Sequence, residues 1–198
     1  EPVTARLVMA ARGRGDERFE AKRLEKVFNH CFSQRWRTRL VGGASEPLYR
    51  PAAAADDYHL LLYRNDFFAS ALHEVAHWCI AGAQRRQQVD FGYWYAPDGR
   101  SPEQQQAFQA VEYKPQALEW WFSRACGYCF QVSVDNLDAL QGTIPETGRF
   151  ARRVLAQALS WQRSGLPHRA GTFFAALSKE FGTRLAPDQV QFSLSELS

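Results

Sequence analysis

The chain of 198 residues has no apolar run approaching the roughly 20 residues that a membrane-spanning helix needs, which excludes such a helix within it. It has no internal repeat and no low-complexity linker, which excludes solenoids and tethered modules. Cysteine is scarce. Cys31, Cys79, Cys126 and Cys129 are the full set, two of them lie in stretches of helical pattern, and a disulfide framework is not expected. A reducing, cytoplasmic setting is. No signal-peptide core is expected near the start, where Arg6, Arg12, Arg14 and Arg18 interrupt any apolar stretch. Charge of one sign is lacking too: 24 Lys and Arg against 21 Asp and Glu leave +3. That balance points to neither nucleic acid nor a membrane surface, and only weakly to an acidic partner.

What is present is core material. A hydrophobic fraction of 45% with 14% aromatics describes a globular chain, and the length suits one domain. Residues 1–17, rich in Arg and Ala, read as a flexible tail, and 18–198 as a single catalytic domain. Helical spacing predicts a helix over about 18–33, and alternation in Arg35-Trp36-Arg37-Thr38-Arg39-Leu40-Val41 predicts a strand ended by Gly42-Gly43. His59–Arg64 reads as a buried strand, and a helix capped by Asp66 follows over about 66–82. Val89–Tyr95 reads as an aromatic strand ended by Pro97-Asp98-Gly99. Its Asp90-Phe91-Gly92 spells a kinase word without the accompanying phosphate loop. Helix starts are expected at Ser101-Pro102 and again at Lys114-Pro115, the second helix reaching about Phe130. Two more helices, about 146–163 and 168–181, end at Gly165 and Gly182. The fold class expected is α+β, mainly helical with a small sheet.

The stretch His73-Glu74-Val75-Ala76-His77 organises the rest. Residues four apart on a helix share a face, so His73 and His77 can present two imidazole nitrogens to one divalent metal. Glu74 stands beside them as a carboxylate near bound water or substrate, the catalytic candidate. A third protein ligand must come from elsewhere. His30, His59 and His168 carry no ligand spacing. Glu112, 35 residues after His77, and Glu119, seven further on and on the same helical face, both fit. Glu112 is preferred because Val111 and Tyr113 flank it and Gln116, a turn away, can brace its carboxylate. Cys126-Gly127-Tyr128-Cys129 has redox or zinc spacing, but it closes an apolar helix and has no second pair, so these read as structural cysteines.

The segments Ala69–Gly82, Val89–Tyr95 with Pro97–Arg100, Val111–Leu118, Glu46-Pro47 and Asp135-Asn136-Leu137 resemble, in this order, the elongation factor P hydroxylase family. The similarity spans roughly residues 20–195. It implies a fold like that of the HExxH metalloproteases (the zincins) around the metal helix, with oxygenation as the reaction. The implied substrate is a lysine of elongation factor P, an acidic factor, already extended by a β-lysyl group. The family's metal motif falls on His73 and His77, with Glu112 assigned as the carboxylate. Two His and one carboxylate leave open positions for dioxygen on an octahedral ion. Zinc has no redox change, so Fe(II) is the expected metal. No spacing marks 2-oxoglutarate as a cosubstrate. The motif alone admits two other readings: a zinc metallopeptidase with Glu74 as general base, and a non-catalytic module held together by its metal. Arg35, Arg37, Arg39, Arg85 and Arg86 are candidate docking charges for the acidic factor.

Overall fold

The computed structural model describes residues 17–90, 101–133 and 144–197, the side chains of 144–147 excepted. The expected tail up to residue 16, most of the aromatic strand, its turn at 97–99 and the Asp135–Leu137 word lie outside the described residues. Among the described residues the architecture is α+β, mainly helical with one small sheet, as expected. Helix α1 is Ala21–Phe32, and Leu24, Val27, Phe28 and Phe32 give it one buried face at helical spacing. A 3-10 turn at Glu17–Phe19 precedes it, and the Phe19 ring packs 5.4 Å from that of Phe68.

Three strands follow: β1 at Thr38–Ala44, β2 at Leu48–Arg50 and β3 at His59–Arg64. β3 is central, parallel to β1 with Leu40 opposite Leu61, and antiparallel to β2 with Tyr49 opposite Leu61. β1 begins and ends later than the alternation predicts. Turn bonds from Ser33 and Trp36 back to Asn29 and Phe32 prolong the exit from α1. Arg37, with φ of 46°, then turns the chain before pairing starts. At the other end Gly42 does not stop the strand. A Cβ there would stand 2.5 Å from the Tyr63 hydroxyl, so glycine lets the two strands' groups approach. That hydroxyl donates to Glu25 Oε1 at 2.9 Å, as does the Gly42 amide, and Glu25 so ties α1 to the sheet.

Helix α2, Phe68–Ile80, starts two residues after the expected cap. Phe67 holds the N-cap position with no side-chain cap, and the Ser70 hydroxyl accepts from the Arg64 amide at 3.0 Å. Helix α3, Pro102–Cys126, replaces the two helices expected. Its start is as predicted, with Ser101 and Gln104 forming a reciprocal capping box. Pro115 does not open a new helix; it sits inside this one. Interior proline costs about 3 kcal/mol, which is why the sequence suggested a boundary. Here the burial of Phe108, Ala117, Leu118, Trp120, Trp121 and Phe122 along the same helix outweighs that cost. The helix ends at Gly127, whose φ of 69° is the left-handed cap. Helices α4, Ile144–Ser164, and α5, His168–Glu180, complete the set. α3 packs against α2, α4 and α5, and α1 against β1 and α5. Between them Phe28, Phe32, Trp78 and Phe173 form a continuous aromatic cluster.

Candidate metal centre

α2 is apolar nearly all round. Ala71, Leu72, Val75 and Ala76 are fully enclosed, so the helix is held in the middle of the core. His73 and His77 share the one face that α3 crosses. There α3 presents Glu112 and Glu119, seven residues apart and therefore on one side of their own helix. The four side chains meet. His77 Nε2 lies 3.0 Å from Glu112 Oε1, and His73 Nε2 lies 3.4 Å from Glu112 Oε2. The two Nε2 atoms are 3.1 Å apart. One potential ligand atom from each of His73, His77 and Glu112 falls within a 4.8 Å span.

The sequence-derived trio is thus brought together, and Glu119 takes a different place. Its Oε2 stands 2.8 Å from His73 Nδ1, on the side of the ring away from the cluster. An acceptor at Nδ1 fixes that nitrogen as a donor and leaves Nε2 facing the cluster, where it can bind a metal once deprotonated. The brace expected from Gln116 is not formed. Its amide donates to the Ser133 carbonyl at 2.6 Å and accepts from the Ser133 amide at 3.0 Å, anchoring the chain beyond α3. The role sought for a neighbour of Glu112 is filled through the histidine instead.

Electrostatics argue for a cation here. Glu112 is 2% exposed, and a buried carboxylate needs a positive charge beside it. Burial pushes its pKa up, but the facing imidazoles outweigh this and hold it well below the usual range. For His73 burial works downward, and hydrogen bonds to Glu112 and Glu119 overcome it and hold the imidazolium form. Burial likewise pushes the Glu119 carboxyl up, against the lowering pull of His73. Two neutral imidazoles and one carboxylate offer a metal the same compensation. Bonds of about 2.0–2.1 Å to each nitrogen span the observed 3.1 Å separation. The donor set fits a divalent ion.

Glu74 is buried and faces a different side of α2, lining a small cleft with His77, Tyr49, Leu61 and Asp90. Burial raises its pKa, the two histidines oppose that, and Asp90 adds to it. The mouth of this cleft carries Arg85, whose Nε donates to Asp90 Oδ2 at 2.5 Å. Arg86 and Arg169 close the end of α2. Arg86 Nη1 donates to the Ala81 carbonyl at 2.5 Å, and Arg169 Nη2 donates to the same oxygen at 2.6 Å and to the Cys79 carbonyl at 3.1 Å. Cations at a helix C-terminus satisfy its last carbonyls and complement its dipole. Sequence reasoning missed Arg169 because it stands 90 positions from Cys79 with no spacing to mark it. All four cysteines are free.

A family model described as "Elongation factor P hydroxylase" (EpmC) matches residues 27–192. The chain belongs to that family. A relative from Haemophilus influenzae, named elongation factor P lysine hydroxylase, is 45% identical over 157 residues, covering 79% of this chain and 86% of that one. The family match runs from within α1 across the sheet and the helices that carry the cluster.

Proposed function

We propose that this protein hydroxylates the β-lysylated lysine of translation elongation factor P at an Fe(II) centre held by His73, His77 and Glu112, using dioxygen. The observation that carries the proposal is the meeting of those three side chains, in a chain 45% identical to a lysine hydroxylase of elongation factor P. Residues 18–198 act as one catalytic domain around a zincin-like helix, in the cytoplasm, with no nucleic acid or membrane as partner. A bound Fe(II) supplies redox chemistry with dioxygen that zinc lacks, and three protein donors leave positions free for it.

The chain's own residues have separable tasks. His73 and His77 offer their Nε2 atoms, and Glu112 offers a carboxylate already ionised in the buried site. Glu119 orients His73 through Nδ1. Glu74, beside His77 in the cleft, has a carboxyl that burial pushes up, suited to carrying a proton or orienting what enters. Trp78 and Leu61 exclude water from the same cleft. Family membership favours this reading over a zinc peptidase with Glu74 as general base.

The deciding experiment is anaerobic purification, loading with Fe(II), and exposure of β-lysylated elongation factor P to air with the protein and a reductant. Mass spectrometry should find one added oxygen on the modified lysine. A zinc-loaded form that cleaves casein, with no oxygen added by the iron form, would overturn the proposal.

A further inference from the structure

The cleft beside His77 and Glu74 has its own recognition group. Asp90 is pinned from both sides. Its amide donates to the Tyr49 carbonyl at 3.0 Å, and its carbonyl accepts from the Tyr49 amide at 2.7 Å, an isolated antiparallel bridge on β2. Its backbone is therefore held in place, and Asp90 lines the cleft together with Glu74 and His77. The side chain of Asp90 is 17% exposed, while that of its partner Arg85 is 45% exposed and sits on a short 3-10 turn, Arg85–Gln87. One member of the pair is anchored to β2 through its backbone, and the other is the more exposed.

The second arginine of the cleft does not compete for Asp90. Arg86 donates to the Ala81 carbonyl, and its guanidinium lies 5.1 Å over the Trp36 ring. Its own carbonyl accepts from the Tyr49 hydroxyl at 2.8 Å. The first two of these contacts engage its guanidinium at α2 and at Trp36. Among the described residues, Arg85 is a cation paired with the Asp90 carboxylate.

We infer that Asp90 is the receptor for a substrate ammonium group, and that Arg85 occupies it until an amine-bearing side chain enters and exchanges with it. This rests on the reading of the cluster as the reactive centre and names how its substrate is selected: a long aliphatic side chain ending in a primary amine. Exchanging one cation for another leaves the half-buried carboxylate paired with a cation. The displaced guanidinium is already nearly half exposed, so little is lost when it leaves. A neutral side chain of equal length would have to break the Arg85–Asp90 pair without replacing it, which is the basis of selection.

The test uses the metal-loaded protein and two readouts. By NMR titration, 1,5-diaminopentane should bind the wild type, bind Asp90→Asn at least tenfold more weakly, and bind Arg85→Gln more tightly. In turnover of β-lysylated elongation factor P, Asp90→Asn should raise KM tenfold or more, with the change in KM and not in kcat. Arg85→Gln should lower KM, and Asp90→Glu should recover most of the loss. A substrate with its lysyl amines acetylated should be insensitive to Asp90→Asn. The opposite signs separate recognition from structure: if the ion pair merely braced the 81–90 segment, both variants would weaken binding alike, and that result overturns the inference. Failure of the wild type to bind the diamine also overturns it. Diamine binding that follows Asp90 without any hydroxylation would remove the proposed reaction and leave the amine site standing.

Discussion

The Nδ1 atom of His73 and the Oε2 atom of Glu119 lie 2.8 Å apart, so the carboxylate one turn pair along α3 from Glu112 grips the back of a histidine whose front faces Glu112. One helix thus supplies both an anion for the centre and the anchor for its neighbour. Glu119→Gln keeps the shape and can still accept from Nδ1–H, but loses the charge that makes the imidazole a stronger donor. Metal affinity should fall about 10–100-fold. Glu112→Gln removes a ligand charge and should lose more. Competition for Zn(II) against a chelator measures both; a larger loss in the Glu119 variant would reverse the two assignments.

His73→Ala and His77→Ala should each abolish stoichiometric metal binding while leaving a folded chain. Both side chains are partly exposed, 18% and 17%, so truncation opens the cleft without hollowing the enclosed core. Elemental analysis together with circular dichroism checks this. Retained metal in both variants would dismiss the centre.

The raised His73 value sets a pH dependence. Below about pH 6.5 the imidazole is protonated in both folded and unfolded chains. Between there and its raised value only the metal-free folded chain holds the proton. That stabilisation is full at low pH and is lost as pH rises through the raised value. A metal ion competes for the same nitrogen. Its apparent affinity should rise by about tenfold per pH unit across the window, with about one proton released. Calorimetric Zn(II) titrations in buffers of different ionisation enthalpy read the proton directly, and a flat profile would exclude His73 as a ligand.

The grouping of His73, His77 and Glu112 was largely legible from the sequence because its signal is local. His73 and His77 are a helical turn apart, and Glu112 and Glu119 share a face by the same periodicity. What no spacing encodes is which carboxylate reaches which side of a ring, since that follows from how α3 crosses α2. Gln116 shows the limit: helical spacing placed it near Glu112, while tertiary packing turned it to Ser133. Pro115 misled for a related reason. Its local penalty is real, but the apolar residues on both sides of it decide whether the helix continues. Gly42-Gly43 looked like a strand end because the Tyr63 hydroxyl that requires Gly42 arrives from 21 residues away. Arg169 had no local mark at all, and the word that holds Asp90 gave no hint of its bridge to Tyr49.

Gly42→Ala tests that close approach. Its Cβ would meet the Tyr63 Oη at 2.5 Å, Cζ at 2.6 Å and the Asn65 carbonyl at 2.9 Å, and the last of these is backbone that cannot swing aside. Tyr63 is buried and bonded to Glu25, so displacing it also breaks the tie between α1 and the sheet. Overpacking of this kind destabilises by about 1–3 kcal/mol. Urea denaturation should show the loss, and Tyr63→Phe in the Gly42→Ala background should recover part of it by removing the clashing oxygen.

The docking charges expected from the sequence divide by what each arginine already holds. Arg85 pairs with Asp90 and Arg86 braces the end of α2, so reversing them would disturb the cleft itself. Arg37 donates to the Asp57 carbonyl at 3.0 Å. Arg35 lies 5.8 Å from the Trp36 ring centre and Arg39 lies 3.7 Å from that of Tyr58, both exposed. An aromatic face holds a guanidinium in place without neutralising it, so the full charge stays available to an approaching acidic surface. Long-range attraction of this kind acts on association and is screened by salt. Arg35→Glu combined with Arg39→Glu should therefore raise KM for elongation factor P several-fold at low salt, with metal content unchanged. The difference from wild type should shrink at about 0.3 M salt, where the screening length falls well below 10 Å. Steady-state kinetics at the two salt concentrations measure it. A KM equal to that of wild type at low salt would place the docking surface on another face.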